Sequence, residues 1–240
     1  MQVKSVAALL KVLREEERAA PEMMFRGQTR DWSLLPGIGR YSRRVHDDYS
    51  WRLHHDNLIG DFLHFGRPFF HDHPANDEEA WIHAQHYGLP TRLLDWTTNP
   101  LKALFFSVND TADDSSSGIL WVLRYSGFRK DLDEQSRHYW ENELTPLLPK
   151  QLNPRLIAQE GCFLSYPLPD NCKPLKPANK LTVDSDPELK FTKYVVPAKA
   201  KDTLRREFNM LGIQYRLLFP DLDGVARGVK LERLESDYCF

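Results

Sequence analysis

Cysteine is scarce in this chain. Cys162, Cys172 and Cys239 are the only three in 240 residues, an odd number without close-paired spacing, which excludes a disulfide framework and a zinc ribbon. No apolar run approaches the roughly 20 residues needed to cross a bilayer. Residues 1–20 break their apolar positions with Arg and Glu, so no signal-peptide core is expected. An excess of either charge is missing too: 32 Lys and Arg face 34 Asp and Glu, leaving a net charge of −2. A chain without an overall basic footprint attracts polyphosphates and anionic lipids poorly, so neither nucleic acid nor membrane is expected as a partner. A Walker loop, a dinucleotide glycine fingerprint and a nucleophile elbow are likewise absent. The absences together point to a cytoplasmic protein.

What the chain does have is apolar mass. Hydrophobic residues make up 41% and include 13 Phe, 9 Tyr and 6 Trp, enough to bury a core without covalent staples. The length is long for one domain and short for two, and no linker interrupts it, so residues 1–240 are expected to form one domain.

Periodicity predicts the elements. An opening helix covers 5–18, with Val6, Leu9, Leu10 and Leu13 on one stripe, and a strand covers 22–28. A long helix is expected over 41–66, with Trp51, Leu58, Phe62 and Phe65 on one side and Pro68 beyond its end. Another spans 78–87, with Trp81, Ala84 and Gln85 inward and Gly88 just past its C-terminus. Residues 91–97 read as a strand, Asn99 caps a helix with Pro100 in its first position, and 118–123 reads as a strand buried on both faces. Between 126 and 187 only 155–165 looks strand-like. A strand near 191–196 follows, then a helix at 199–211 with Leu204, Phe208 and Leu211 inward. A last helix capped by Asp221 places Leu222, Val225, Ala226 and Val229 toward the core. The expected class is α+β, a small mixed or antiparallel core sheet with flanking helices.

Certain segments resemble the FRG-domain family. They are Phe25-Arg26-Gly27-Gln28, then Gln85 through Thr97 with Asn99-Pro100, then Arg155 with Ala158-Gln159-Glu160-Gly161, and finally Leu218-Phe219-Pro220-Asp221. They occur in family order over about residues 20–230, leaving the opening helix of 1–19 and the stretch 126–150 unmatched. The resemblance implies a place in bacterial and phage conflict systems, with a protein target or an antitoxin as partner. A second resemblance is to ADP-ribosyltransferases of the Arg-Ser-Glu class, in which an aromatic-Arg-Gly strand precedes a Ser-Thr-Ser strand and a helix. Here Arg26-Gly27 stands for the first element and Asp95-Trp96-Thr97 for the second.

That resemblance implies NAD or another nucleotide as substrate and an ADP-ribosyltransferase-like fold. Arg26 would grip a pyrophosphate bidentately while Gly27 and Gln28 bring backbone and amide groups beside it. Tyr87 would stack, His86 would hydrogen-bond or act in proton transfer, Thr97 would orient, and Gln159 or Glu160 would face the reacting ribose. Gln85, a polar group on an inward stripe, needs a partner in the core or at a site. Arg92 and Asp95 fall on opposite faces of their strand, so one enters a pocket while the other bonds elsewhere. Two further readings stand beside this one: a non-catalytic module sensing a nucleotide or a phage protein, and a metal-dependent nuclease using His71 and His86. His71-Asp72-His73 and His83-x-x-His86 offer no third ligand at a diagnostic spacing, and no metal is expected.

Overall fold

One sheet organises the chain in the computed structural model, which describes residues 1–17, 22–44, 50–127, 142–150, 152–181 and 189–235. Its strands are β1 (Glu22–Gln28), β2 (Leu93–Thr97), β3 (Gly118–Tyr125), β4 (Thr145–Leu147), β5 (Gly161–Ser165) and β6 (Lys190–Val196). Their order is β4-β5-β2-β1-β3-β6, with every ladder antiparallel. Helices flank the sheet: α1 (Val6–Glu17), α2 (Trp51–Gly66), α3 (Asp77–His86), α4 (Pro100–Phe106), α5 (Pro154–Ala158), α6 (Lys201–Met210), α7 (Tyr215–Leu218) and α8 (Leu222–Lys230). No helix among the described residues is long and apolar enough to cross a membrane.

Strand alternation assigns the cores. Phe25, Leu120, Val122, Tyr194 and Val196 face one way and pack with Leu9, Leu104 and Phe208 from α1, α4 and α6. Met24, Trp96, Trp121 and Leu164 face the other way and meet Ile38 and Trp51. A third cluster joins Leu93 and Phe163 to Ile59, Trp81 and Ala84 of α2 and α3.

The β1–β2 join differs from the others. β1 is in register with β3 from Glu22 opposite Tyr125 to Gln28 opposite Ile119, whereas β1 and β2 are paired at Phe25 opposite Thr97 alone. Beyond that rung the strands part on the side of Arg26 to Gln28 and Asp95 to Trp96. The helix α4 holds β1 there: a Cβ on Gly27 would sit 1.8 Å from the Ala103 carbonyl oxygen, so only glycine lets helix and strand approach this closely.

Most expected elements form where their caps and periodicity put them. Asn99 accepts from the Leu101 and Lys102 amides at 3.0 and 3.3 Å, and Gly88 takes a φ of +90° past the end of α3. Several expectations need correction, among them Leu10, which is exposed on α1. The strand predicted over 155–165 begins at Gly161, because Asn153 accepts from the Leu156 amide at 2.8 Å and, with Pro154, starts α5 instead. The helix expected from 41 starts at Trp51 under a Ser50 cap, after a 3-10 stretch at Ile38–Arg44; its part at 45–49 lies outside the described residues. Its buried stripe is Trp51, His55 and Ile59, and Phe65 is exposed, as is Leu211 at the end of α6.

The last helix is turned over. Gly224 and Gly228 are its buried positions, while Leu222 is 88% exposed and Val225 and Val229 are exposed too. α7 explains this, since a Cβ on Gly224 would fall 2.0 Å from the Phe219 carbonyl oxygen and one on Gly228 would lie 3.2 Å from Arg216 Cβ. Close backbone packing of a short helical pair outweighs the apolar stripe.

Candidate functional site

The opening between β1 and β2 is a cleft of about 520 Å³. Arg26 stands at its edge. Its Nη1 donates to the Asp95 carbonyl oxygen at 2.5 Å and lies 3.8 Å from Asp95 Oδ2. The side chain is 14% exposed, and its buried Nε has no hydrogen-bond partner among the described residues. Burial pushes the guanidinium pKa down, the Asp95 charge opposes that shift, and the neighbouring Arg40 adds to it. An arginine does not give up its proton in a protein, so this environment acts as a demand for an anion.

Asp95 is held from behind. Gln85 Nε2 donates to Asp95 Oδ1 at 2.6 Å, and Gln85 Oε1 accepts from the Thr91 hydroxyl. Gln85 thus finds the partners that an inward polar residue of α3 requires. The Asp95 carboxylate remains 70% exposed, open to the cleft. Gln28 also lines the cleft, with its Oε1 accepting from Trp121 Nε1 at 3.0 Å.

Thr97 and Gln159 meet across the floor. The Thr97 hydroxyl donates to the Gln159 carbonyl oxygen at 2.7 Å and accepts from the Asn99 amide at 3.0 Å, while Gln159 Nε2 donates to the Leu218 carbonyl oxygen at 3.0 Å. Glu160 turns elsewhere. It adopts a φ of 47°, and its Oε1 accepts from Lys102 Nζ at 2.8 Å and from Asn99 Nδ2 at 3.0 Å. The Lys102 hydrogen bond draws its pKa below the usual carboxylate value. Gln159 lines the cleft and Glu160 does not.

The remaining sequence candidates divide. His86 borders a cavity of about 120 Å³ that shares Gln85, Asp95, Arg155 and Gln159 with the cleft; burial, then Arg155 and His83, lowers its pKa. Tyr87 is exposed outside both, its ring centroid 5.1 Å from that of His86 and 6.4 Å from that of Phe62. Arg92 is buried beneath, with Nε donating to the Tyr166 carbonyl oxygen at 2.8 Å and its guanidinium 5.0 Å from the Trp81 ring centre. Asp95 is therefore the member of that pair that reaches the pocket.

Other residues enter the site without having been singled out for it. Arg40, Arg155 and Arg227 join Arg26 in lining the cleft, and Trp32, Phe106 and Phe219 add aromatic surface. Arg155 Nη2 donates to Asp221 Oδ2 at 2.6 Å and its guanidinium lies 5.0 Å from the centre of the Phe219 ring. Asp221 caps α8 as expected, its Oδ1 accepting from the Gly224 amide at 2.6 Å. Arg155 and Phe219 lay in segments that resemble the family; Arg40 and Arg227 carried no local signal. Thr29, which also lines the cleft, is held from α6, where buried Lys201 donates to the carbonyl oxygens of Thr29 and Asp113 at 2.9 and 2.8 Å. Among the described residues, no group of three or more His, Cys, Asp or Glu is placed to hold a metal ion.

Arginines, aromatic faces and one exposed carboxylate suit a ligand carrying both phosphate and a flat ring. The family described as the FRG domain matches residues 21–116, which contain Arg26, Gln85, Asp95 and Thr97 but not Arg155, Gln159 or Phe219. No curated protein and no solved structure matches the chain.

Proposed function

We propose, from the premise that this chain carries an FRG domain, that the β1–β2 cleft binds NAD or a related nucleotide and that the protein is an ADP-ribosyltransferase-like effector of a toxin or defence system. The observation that carries this reading is Arg26, a buried guanidinium with an unpartnered Nε at the point where the sheet parts. A phosphate against the accessible edge of the guanidinium would offset the burial of its charge. Trp32, Phe106 and Phe219 supply faces for a ring.

The chemistry at the ribose would fall to the residues that line the cleft. Thr97 orients Gln159 through its carbonyl, and Asp95 offers a carboxylate whose direction Gln85 fixes. A negative charge beside the anomeric carbon would stabilise the oxocarbenium character that develops as a nicotinamide leaves. Glu160 would act instead through Lys102 and Asn99, supporting the turn that presents Gln159.

The test is nicotinamide release from NAD by the purified chain, with its melting temperature followed in the same samples. Turnover lost in Arg26→Ala and Asp95→Asn, but kept in Glu160→Gln, is the expected pattern. One observation favours a non-catalytic sensing module: the position facing the cleft from the Gln159-Glu160 pair is an amide, which carries no charge. That reading predicts an NAD-dependent rise in melting temperature without release of nicotinamide. Neither turnover nor a rise would remove NAD as the ligand.

A further inference from the structure

Beyond Arg26 lies a second compartment, of about 280 Å³, bounded by Tyr41, Leu89 and Pro90. It adjoins the main cleft, since Arg26, Arg40, Gln85 and Asp95 line both. We propose that this compartment receives the non-reacting nucleoside of a dinucleotide whose diphosphate lies across Arg26 and Arg40. The inference rests on the nucleotide reading of the main cleft and adds to it a length, a direction and two residues that select for them.

Charge is the first argument. Two guanidinium groups stand on the wall between the compartments, and Arg40 is near enough to disfavour the charge on Arg26. Asp95 is the one carboxylate on that shared wall, 3.8 Å from Arg26 Nη1. The Arg40 side chain makes no hydrogen bond or ion pair among the described residues, its backbone amide alone donating to the Gly37 carbonyl oxygen at 3.2 Å. Like charges held side by side with so little compensation favour an anion that spans both, and a diphosphate does so where a single phosphate reaches one.

Shape and lining are the second. Tyr41 presents a half-exposed ring, and Leu89, Pro90 and Leu93 give the compartment apolar walls. These are surfaces for stacking a flat base and not for a further phosphate. Thr97 and Gln159 line only the main cleft of the two, so the reacting end belongs there and the nucleoside at the other end falls beside Tyr41.

The experiment is calorimetric titration of the full chain with NAD, nicotinamide mononucleotide and inorganic pyrophosphate. It compares wild type, Tyr41→Ala, Arg40→Ala and Arg26→Ala. Both Tyr41 and Arg40 are exposed, so unchanged melting temperatures without ligand are expected and serve as the folding control. Tyr41→Ala should weaken NAD by roughly tenfold, the loss of one stacked ring, while leaving the mononucleotide and pyrophosphate unchanged. Arg40→Ala should weaken NAD and pyrophosphate together. NAD binding that is unaltered in Tyr41→Ala yet abolished in Arg26→Ala would overturn the second compartment and leave the main cleft standing. Failure of NAD to bind the wild type would overturn both.

Discussion

Arg26 and Gly27 are neighbours on β1 held by different constraints. Arg26 turns to the cleft, where its charge lacks a full complement of partners, whereas Gly27 is pressed against the backbone of α4. A methyl group at 27 would meet the Ala103 carbonyl oxygen, an atom that cannot swing aside as a side chain can. Gly27→Ala is therefore expected to destabilise by more than the roughly 1–3 kcal/mol of ordinary overpacking, read as a lowered urea midpoint. Arg26→Ala should leave that midpoint nearly unchanged while removing ligand binding. His55 supplies a prediction in pH. Burial among α2, α3 and the sheet lowers its pKa; Asp56 and the more distant Asp77 oppose the shift, and Arg92 reinforces it. Its folded pKa lies below the unfolded value of about 6.5. The unfolded chain thus takes up the proton first, and the contribution of His55 is whole above that value and lost as pH falls below it. Thermal unfolding between pH 7.5 and 5.5, values chosen to bracket roughly that pKa, should show a steeper acid decline in wild type than in His55→Leu.

Much of the site was legible residue by residue, and its gaps have physical causes. Gln85 was legible because a polar group on an inward stripe must be satisfied somewhere, and Asp95 and Thr91 satisfy it; strand alternation left Arg92 and Asp95 as alternatives, and Thr97 came from the resemblance alone. Which of Gln159 and Glu160 faces the cleft was not legible. It turns on one left-handed residue, Glu160, whose φ of 47° swings its carboxylate to Lys102. Arg40 and Arg227 left no trace in pattern, since a charged residue on a short 3-10 turn or an exposed helix face has no periodicity to violate.

At the scale of elements, capping decided more than hydrophobic stripe. Asn153 and Pro154 start a helix inside a segment whose composition reads as strand, and that helix carries Arg155 and ends at the turn presenting Gln159. Asn153→Ala should cost about 1 kcal/mol of stability. It should also weaken NAD binding more than that loss accounts for, measured by titration well below the melting temperature. α8 teaches the opposite limit of pattern reading. Its leucine and valines follow a helical stripe, yet two glycines form the packed face because α7 lies too close for side chains. Leu222→Ser and Val229→Ser are accordingly expected to change stability by no more than about 0.5 kcal/mol each, and Gly224→Ala by much more. Calorimetric melting of the three variants decides between the faces.

At the scale of the molecule, the sheet behaves as two leaves of three strands, β4-β5-β2 and β1-β3-β6, bound along one edge by the rung at Phe25 and Thr97. Each leaf has a full ladder within itself, and Arg26 bridges the gap by its bond to the Asp95 carbonyl oxygen. A ligand seated in the gap would tie leaf to leaf and add its own free energy to folding, about 2.7 kcal/mol at a hundredfold excess over its dissociation constant. The parted seam then makes the molecule its own gauge of occupancy: β1 and β2 share one register pair where the other joins have three or more, and hydrogen exchange along the seam should slow when it fills while the outer strands keep their rates.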